Sequence, residues 1–167
     1  MNFRLNNSVE IPAIGLGTWL IDNNKVSETI KNAVKIGYRH IDTAQAYENE
    51  VGVGIGIKEC GINRKELFVT SKVRAEYKDY SSAKKSIDES LEKLGLDYID
   101  LMIIHSPQPW AEFRITENNY YKENLEVWRA LEDAYIEGKV KAIGVSNFHI
   151  EDLKNNLAEG EGNKVAA

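Results

Sequence analysis

The chain of 167 residues has little of several features that would place it in a special class of proteins. Its single cysteine, Cys60, excludes an internal disulfide and fits a reducing compartment. No apolar run approaches the roughly 20 residues of a membrane span, and the first residues lack the apolar segment of a signal peptide. The net charge is −5 and no lysine- or arginine-rich block is present, so nucleic acid is not expected as a partner. We therefore expect a cytoplasmic protein that binds neither membranes nor nucleic acids.

The sequence does contain a regular alternation of short apolar runs and helical patterns. After a hairpin over residues 3–14, strands are predicted at 14–18, 38–42, 67–73, 98–105 and 140–146, and helices at 25–36, 49–60, 82–94, 124–137 and 150–158. Strands that alternate with helices indicate βαβ units and a parallel sheet, hence an α/β fold. Residues 1–158 therefore form the predicted domain, and residues 159–167 form a short glycine-rich tail.

Polar residues occur where the predicted strands end. They are Asp42, Lys72, His105 and the pair Ser146 and Asn147, with Tyr47 in the loop after the second strand. In parallel α/β folds, the C-terminal ends of the strands carry the active site. Each residue alone also has an ordinary explanation, such as a helix cap, a solvated charge or a loop former. Their occurrence at successive strand ends favours a shared functional site.

The residue types at these strand ends suit the addition of hydride to a carbonyl group. A free tyrosine is a weak acid at neutral pH, and a nearby ammonium group stabilises the phenolate that remains after proton release. Lys72 would do this for Tyr47, while Asp42 would hold the lysine in place. His105 would orient the carbonyl by hydrogen bonding and share in proton delivery. The sequence thus predicts a proton donor combined with a group that polarises the carbonyl.

Five stretches of the sequence resemble the aldo-keto reductase family. They are GLGTW (15–19), GYRHIDTAQAYENE (37–50), LFVTSKV (67–73), LGLDYIDLMIIHSP (94–107) and GKVKAIGVSNF (138–148). The resemblance implies a partial (β/α)8 TIM barrel of about five β/α units with an N-terminal β-hairpin. It also implies an oxidoreductase that reduces aldehydes or ketones to alcohols with hydride from NADPH.

The resemblance also implies a role for each residue at the site. It makes Asp42, Tyr47, Lys72 and His105 the catalytic residues, with Tyr47 as the general acid. Ser146, Asn147, Asp42 and Thr18 become cofactor contacts, and Trp19, Tyr47, His105 and Trp110 line the substrate pocket. No metal is expected. Where many members of the family have His-Trp-Pro, this chain has His105-Ser106-Pro107, which alters the expected pocket.

Two alternative interpretations follow from the same residues. Gly52, Gly54 and Gly56 do not follow a strand directly, so they are interpreted as helix glycines and not as a dinucleotide-binding loop. A metal site built on His40, Asp42 and His105 is disfavoured because no further ligands with suitable spacing are present.

An inactive partial barrel is the alternative to an enzyme. Members of the family continue through three more strand–helix units, which carry the remaining cofactor contacts and the phosphate-binding basic residues. A sheet of five strands would leave open edges and exposed apolar inner faces. On this interpretation the chain functions or persists only through assembly with another chain, and we expect it to self-associate.

Overall fold

The computed structural model describes residues 1–158, in which an antiparallel hairpin precedes one sheet of five parallel strands. The strands are β1 (Asn2–Arg4), β2 (Glu10–Pro12), β3 (Leu16–Gly17), β4 (His40–Asp42), β5 (Phe68–Val73), β6 (Leu101–Ile104) and β7 (Ile143–Val145). The helices are α1 (Asn23–Lys35), α2 (Glu50–Glu59), α3 (Tyr80–Leu94), α4 (Tyr121–Ile136) and α5 (Ile150–Ala158), with 3₁₀ helices at Gln45–Tyr47 and Arg64–Glu66. The predicted tail, 159–167, lies outside the described residues. Of the helices within 1–158, none has the length and apolar character needed to cross a membrane.

All five predicted helices are present, but α1, α3 and α4 begin earlier than the apolar pattern indicates, and the first two of these start at an aspartate cap. The carboxylate of Asp22 accepts a hydrogen bond from the backbone of Asn24 (2.8 Å) and caps α1. Asp79 caps α3 in the same way through the backbone of Ser82 (2.8 Å). An N-cap carboxylate satisfies donors that the first helical turn leaves unpaired. The caps, and not the first apolar residues, therefore set where these helices start.

The sheet follows chain order from β3 to β7, and every neighbouring pair is parallel. Each predicted strand is present, but the regular hydrogen-bonded segments are shorter than predicted. In the predicted strand 98–105, residues 98–100 lie outside the regular hydrogen-bonded segment β6. Ile99 makes only an isolated bridge to Val140, and the Asp100 carboxylate accepts a hydrogen bond from the backbone N–H of Val69 (3.0 Å). This order places the C-terminal ends of β4 to β7 side by side at one edge of the sheet.

The main core lies between the sheet and the helices packed on its outer face. Val69, Met102 and Ile104 contribute from the strands, and Ile30 and Leu131 contribute from the helices. All five are fully buried. Burial of such a side chain contributes about 1.5–3 kcal/mol, so this layer fixes the strand positions on which the site depends.

The inner face of the sheet has a smaller core that the hairpin covers. Phe68 and Leu101 are only 5% and 9% exposed, and they pack with Ala142 and hairpin residues that include Leu5 and Ile11. The expectation that the apolar inner faces would be exposed is therefore wrong for these strand residues, because the hairpin folds over them. Among residues 1–158, no strand pairs with the outer edge of β3 or β7.

The three glycines of α2 face neighbouring elements at very short distance. A Cβ on Gly52 would lie 2.1 Å from the backbone oxygen of Asn23, and one on Gly54 would lie 2.2 Å from that of Leu94. These glycines therefore allow α2 to pack directly against α1 and the end of α3. They are helix residues, as interpreted from the sequence, and do not form a phosphate-binding loop.

Candidate active site

Lys72, near the end of β5, is the centre of a hydrogen-bonded group at the C-terminal edge of the sheet. Its Nζ donates to Oδ1 of Asp42 at 2.5 Å and to the backbone oxygen of Thr43 at 2.8 Å. The Lys72 side chain is buried, whereas the Asp42 carboxylate is one-third exposed. Period-two alternation along parallel strands places both side chains on the inner face. Two contacts at the end of β4 thus fix the position of the ammonium group.

Tyr47 reaches the same ammonium group from a short 3₁₀ helix, Gln45–Tyr47, which follows β4. Its phenol oxygen lies 3.3 Å from Nζ of Lys72, and Nζ lies 4.9 Å from the centre of the Tyr47 ring. The phenol and the carboxylate of Asp42 therefore share one buried cation.

His105 follows β6 directly and packs edge-on against Tyr47, with ring centres 5.7 Å apart. Burial and, to a smaller extent, the nearby charge of Lys72 lower the pKa of its imidazole to about 4. The carboxylate of Asp42 opposes this shift, but its effect is smaller. The imidazole is therefore neutral at neutral pH. Its Nδ1 is buried and has no hydrogen-bond partner among the described residues.

An open cavity of about 440 Å³ lies above these groups. It is lined by Trp19, Ala46, Tyr47, His105 and Trp110. The ring of Trp110 stands perpendicular to that of His105, with centres 5.0 Å apart. The structure therefore brings together all four residues predicted from the sequence to line a substrate pocket.

Trp110 belongs to the irregular segment 106–120 between β6 and α4, and Gln108 determines much of the shape of that segment. The Gln108 amide is buried, donates to the backbone oxygen of Asn118 (2.7 Å) and accepts from the backbone of Arg114 (2.8 Å). The segment is held by these hydrogen bonds and by contacts with neighbouring elements, since Lys78 donates to the backbone oxygen of Ser106 (2.9 Å). Trp110 therefore lines the cavity from a loop and not from a strand.

The predicted cofactor residues lie beside this group. Asn147 donates from its side-chain amide to the backbone oxygen of His105 (2.8 Å) and to Oγ of Ser146 (3.1 Å). Asn147 is exposed and Ser146 is half-buried. Thr18 is fully buried, and its hydroxyl donates to the backbone oxygen of Asp42 (3.1 Å), so it supports the strand end. The cofactor roles of Ser146, Asn147, Thr18 and Asp42 stay predictions.

His40 lies deeper on the inner face of the sheet. Its Nε2 is 2.9 Å from Oγ1 of Thr70, and its ring packs edge-on against Phe68. Burial lowers the pKa of the His40 imidazole. Within residues 1–158, no group of three or more potential ligands is placed to hold a metal ion.

The sequence analysis assigned no role to three polar residues that surround Tyr47 in the chain: Gln45, Asn49 and Glu50. All three are almost fully buried. Asn49 donates to the backbone oxygen of Thr18 (2.9 Å) and accepts from the hydroxyl of Thr43 (3.0 Å). Residues of these types are rarely buried unless they are paired. Their role follows from this burial, which the sequence does not show, because polar residues after a strand are equally typical of an exposed loop.

A match to the Aldo/keto reductase family covers residues 13–166. The chain belongs to this family. A glyoxal reductase of Bacillus subtilis is 47% identical over 159 residues, which are 95% of this chain and 53% of that relative. The chain spans about half the length of the curated relatives it matches.

Solved structures of aldo-keto reductases confirm the fold. One from Brucella melitensis superposes with a TM-score of 0.89 at 40% identity and covers 99% of this chain and 60% of its own. One from Bombyx mori, in complex with NADP, has a TM-score of 0.84 at 34% identity. The match covers 99% of this chain and 56% of the Bombyx mori chain. The described fold is therefore a partial (β/α)8 barrel with an N-terminal hairpin, as expected from the sequence.

Proposed function

We propose that this aldo-keto reductase reduces aldehydes or ketones to alcohols with NADPH, and that Tyr47 is the general acid. The observation that carries the proposal is the contact of Tyr47 and Asp42 with one buried ammonium group, Lys72, at the floor of an aromatic cavity. A phenol beside a fixed cation is suited to release a proton, since the cation stabilises the phenolate that remains.

The other residues of the site prepare a carbonyl group for this proton transfer. A carbonyl oxygen within reach of the Tyr47 hydroxyl would accept its hydrogen bond and then its proton. His105 is neutral and therefore donates from one ring nitrogen only, which orients the carbonyl without adding a second positive charge. Trp19 and Trp110 line the open cavity with apolar surface, against which the apolar part of a carbonyl compound could pack.

Ser146 and Asn147 fit the nicotinamide end of the cofactor. A hydroxyl and a side-chain amide match the donor and acceptor groups of a carboxamide. Because Asn147 is hydrogen-bonded to the backbone of His105, a carboxamide held there would be close to the carbonyl-binding side of the site. When bound, the dihydronicotinamide supplies the hydride that the carbonyl carbon receives.

The substrate we propose is a small aldehyde or dicarbonyl compound. The relative from Bacillus subtilis is named a glyoxal reductase. The cavity residues Trp19, Ala46, Tyr47, His105 and Trp110 include no lysine or arginine. This lining suits an uncharged carbonyl compound better than one that carries a carboxylate.

The test is NADPH oxidation by the full chain with glyoxal and with an aromatic aldehyde. We expect Tyr47→Phe to lose about 100-fold or more of the turnover of the unaltered chain, since the proton donor is removed. NADPH binding, followed by fluorescence, should be the same in both. Tyr135→Phe, on α4, is the matched control and should retain full turnover. Full turnover in Tyr47→Phe would remove this tyrosine from the acid role.

A second candidate is a chain that acts only after assembly with a further copy or another chain. It is favoured by the outer edges of β3 and β7, which pair with no strand among residues 1–158. Unpaired backbone groups at a sheet edge favour pairing with another strand. Size-exclusion chromatography with light scattering, followed by the NADPH assay on each species, separates the candidates. An active 18.9 kDa monomer would refute assembly as a requirement.

A further inference from the structure

We infer that Gln45 is a positioning residue that sets the distance between the Tyr47 phenol and Lys72. The inference rests on the proposed function in one respect, since that function makes this distance matter for proton transfer. Gln45 does not line the cavity, and its side chain bonds to Ser86, Ser90 and Arg74 and not to the proposed catalytic groups.

The segment that carries Tyr47 has little internal support. It is a single 3₁₀ turn, Gln45–Tyr47, closed by backbone hydrogen bonds from Tyr47 to Ala44 (3.0 Å) and from Glu48 to Gln45 (3.3 Å). Glu48 ends the turn in the left-handed conformation, with a φ of 56°. A short 3₁₀ turn has poorer hydrogen-bond geometry than an α-helix, so other contacts must fix its position.

The side chain of Gln45 provides these contacts. It is buried, and its Nε2 donates to the backbone oxygen of Ser86 (2.9 Å) and to Oγ of Ser90 (3.0 Å), both on α3. Its Oε1 accepts from the backbone N–H of Arg74 (2.9 Å). Both donor hydrogens of the amide are therefore engaged, and the turn is tied to a helix and to the end of β5.

The attachment at Arg74 links the two reacting groups most directly. Arg74 is two residues beyond Lys72 on the same chain segment, and Gln45 is two residues before Tyr47. The guanidinium of Arg74 adds contacts to the backbone oxygen of Gln45 (3.2 Å) and to Glu48 (2.8 Å). The 3.3 Å separation between Tyr47 and Lys72 is thus spanned by a short, buried connection.

The polar network continues behind the site and strengthens this connection. Ser90, which accepts from Gln45, donates to Oε2 of Glu50 (3.3 Å), and Ser71 on β5 donates to Oε1 of Glu50 (2.7 Å). Ser71 precedes Lys72 in the chain. The buried network therefore joins the Tyr47 turn to the Lys72 strand a second time, through α2 and α3.

Two neighbouring serines of α3 allow a matched test. Ser90 takes part in the connection through its hydroxyl, whereas Ser86 takes part only through its backbone oxygen, and its hydroxyl bonds to Ala83 (2.8 Å). Both serines are buried. Ser90→Ala removes a contact of Gln45, and Ser86→Ala removes a buried hydroxyl while leaving the contacts of Gln45 in place.

The experiment is NMR of the full chain labelled with [13Cζ]tyrosine, in which the resonance of Tyr47 is identified by its absence in Tyr47→Phe. Gln45→Met keeps the length of the side chain and removes its three hydrogen bonds. We expect the Tyr47 resonance to shift in Gln45→Met, to shift less but in the same direction in Ser90→Ala, and to coincide with the unaltered chain in Ser86→Ala. If Gln45→Met does not fold, the two serine variants still provide the comparison.

Kinetics add a second measurement. We expect Gln45→Met to lower kcat about tenfold or more while KM for NADPH changes less than about twofold, because misplacement of a proton donor affects the reaction and not cofactor binding. A folded Gln45→Met chain with an unchanged Tyr47 resonance would overturn the inference and leave Gln45 a purely stabilising residue. Equal shifts in both serine variants would overturn it as well. If the resonance shifts in Gln45→Met while the unaltered chain itself has no turnover, the positioning is supported and the proposed function is refuted.

Discussion

Nζ of Lys72 donates a hydrogen bond to Oδ1 of Asp42 at 2.5 Å, which ties the ends of two neighbouring strands together through a buried cation. Replacement of Lys72 by Met keeps the length of the side chain and removes the charge. We predict a loss of about 100-fold or more in turnover, since the phenolate of Tyr47 would no longer be stabilised. Assays of NADPH oxidation measure this effect. Lys85→Met, at a surface position that is 80% exposed, is the control and should leave turnover unchanged.

The neutral state of His105 predicts a dependence of stability on pH. Its folded-state pKa is about 4 because of burial and the charge of Lys72, against 6.5 for an ordinary histidine. Between these values the unfolded chain binds a proton that the folded chain does not, so stability decreases as the pH falls from 6.5 towards 4. His40, whose pKa is also lowered, contributes with the same sign.

Two measurements test this prediction. Imidazole NMR should show His105 titrating near pH 4, and urea unfolding of His105→Gln should show a weaker pH dependence than the unaltered chain over the same window. A titration midpoint of 6.5 for His105 would contradict the neutral imidazole on which its proposed hydrogen-bonding role depends.

The buried carboxyl group of Glu50 should make stability depend on pH with the opposite sign. Burial raises the pKa of its carboxyl group above 4.5, although hydrogen bonds from Ser71 and Ser90 oppose the shift. Above pH 4.5 the folded chain retains a proton that the unfolded chain loses, so this group lowers stability as the pH rises through its folded pKa. Glu50→Gln should therefore gain stability relative to the unaltered chain between pH 4.5 and neutral pH. Urea unfolding of this variant, with the exposed Glu92→Gln as control, measures the difference.

Because α2 packs closely against its neighbours, replacing Gly54 by alanine should destabilise the fold. Alanine at position 54 would gain about 1 kcal/mol of helix propensity, but its Cβ would lie 2.2 Å from the backbone oxygen of Leu94. The backbone must then move, so we expect Gly54→Ala to lower the free energy of unfolding by roughly 1–3 kcal/mol. Gly17→Ala, where no atom lies within 4 Å of the added Cβ, should change it little. Thermal and urea unfolding compare the two variants, and equal stability would show that α2 can shift freely.

The strand-end residues could be identified from the sequence because their placement follows from periodicity. Asp42 ends β4, Lys72 lies one residue before the end of β5 and His105 follows β6 directly, and the C-terminal ends of parallel strands lie at one edge of the sheet. The strand boundaries were less predictable. Ile99 fits the apolar pattern of the fourth strand but makes only an isolated bridge, because the ladder also depends on the neighbouring strand.

The residues that support Tyr47 could not be identified in the same way. Gln45 bonds to Ser86 and Ser90, which are 41 and 45 positions away in the chain. Nothing in the local sequence specifies which distant groups a buried amide will meet. The hairpin cover was missed for a related reason, since the contact of Leu5 and Ile11 with the inner face depends on the folding of the whole sheet.

Trp110 lies on a loop that is fixed both by its own hydrogen bonds and by neighbouring elements, since the guanidinium of Arg114 donates to the backbone oxygen of Asn147 and to the carboxylate of Asp152, each at 2.9 Å. The loop 106–120 takes its shape from the amide of Gln108, which bonds to Arg114 and Asn118 within the same loop. Tyr47 and Lys72, in contrast, are held by the sheet and by α3. A change in the loop that moves Arg114 would therefore also disturb the backbone of Asn147, so the shape of the aromatic cavity and the proposed cofactor contact are coupled.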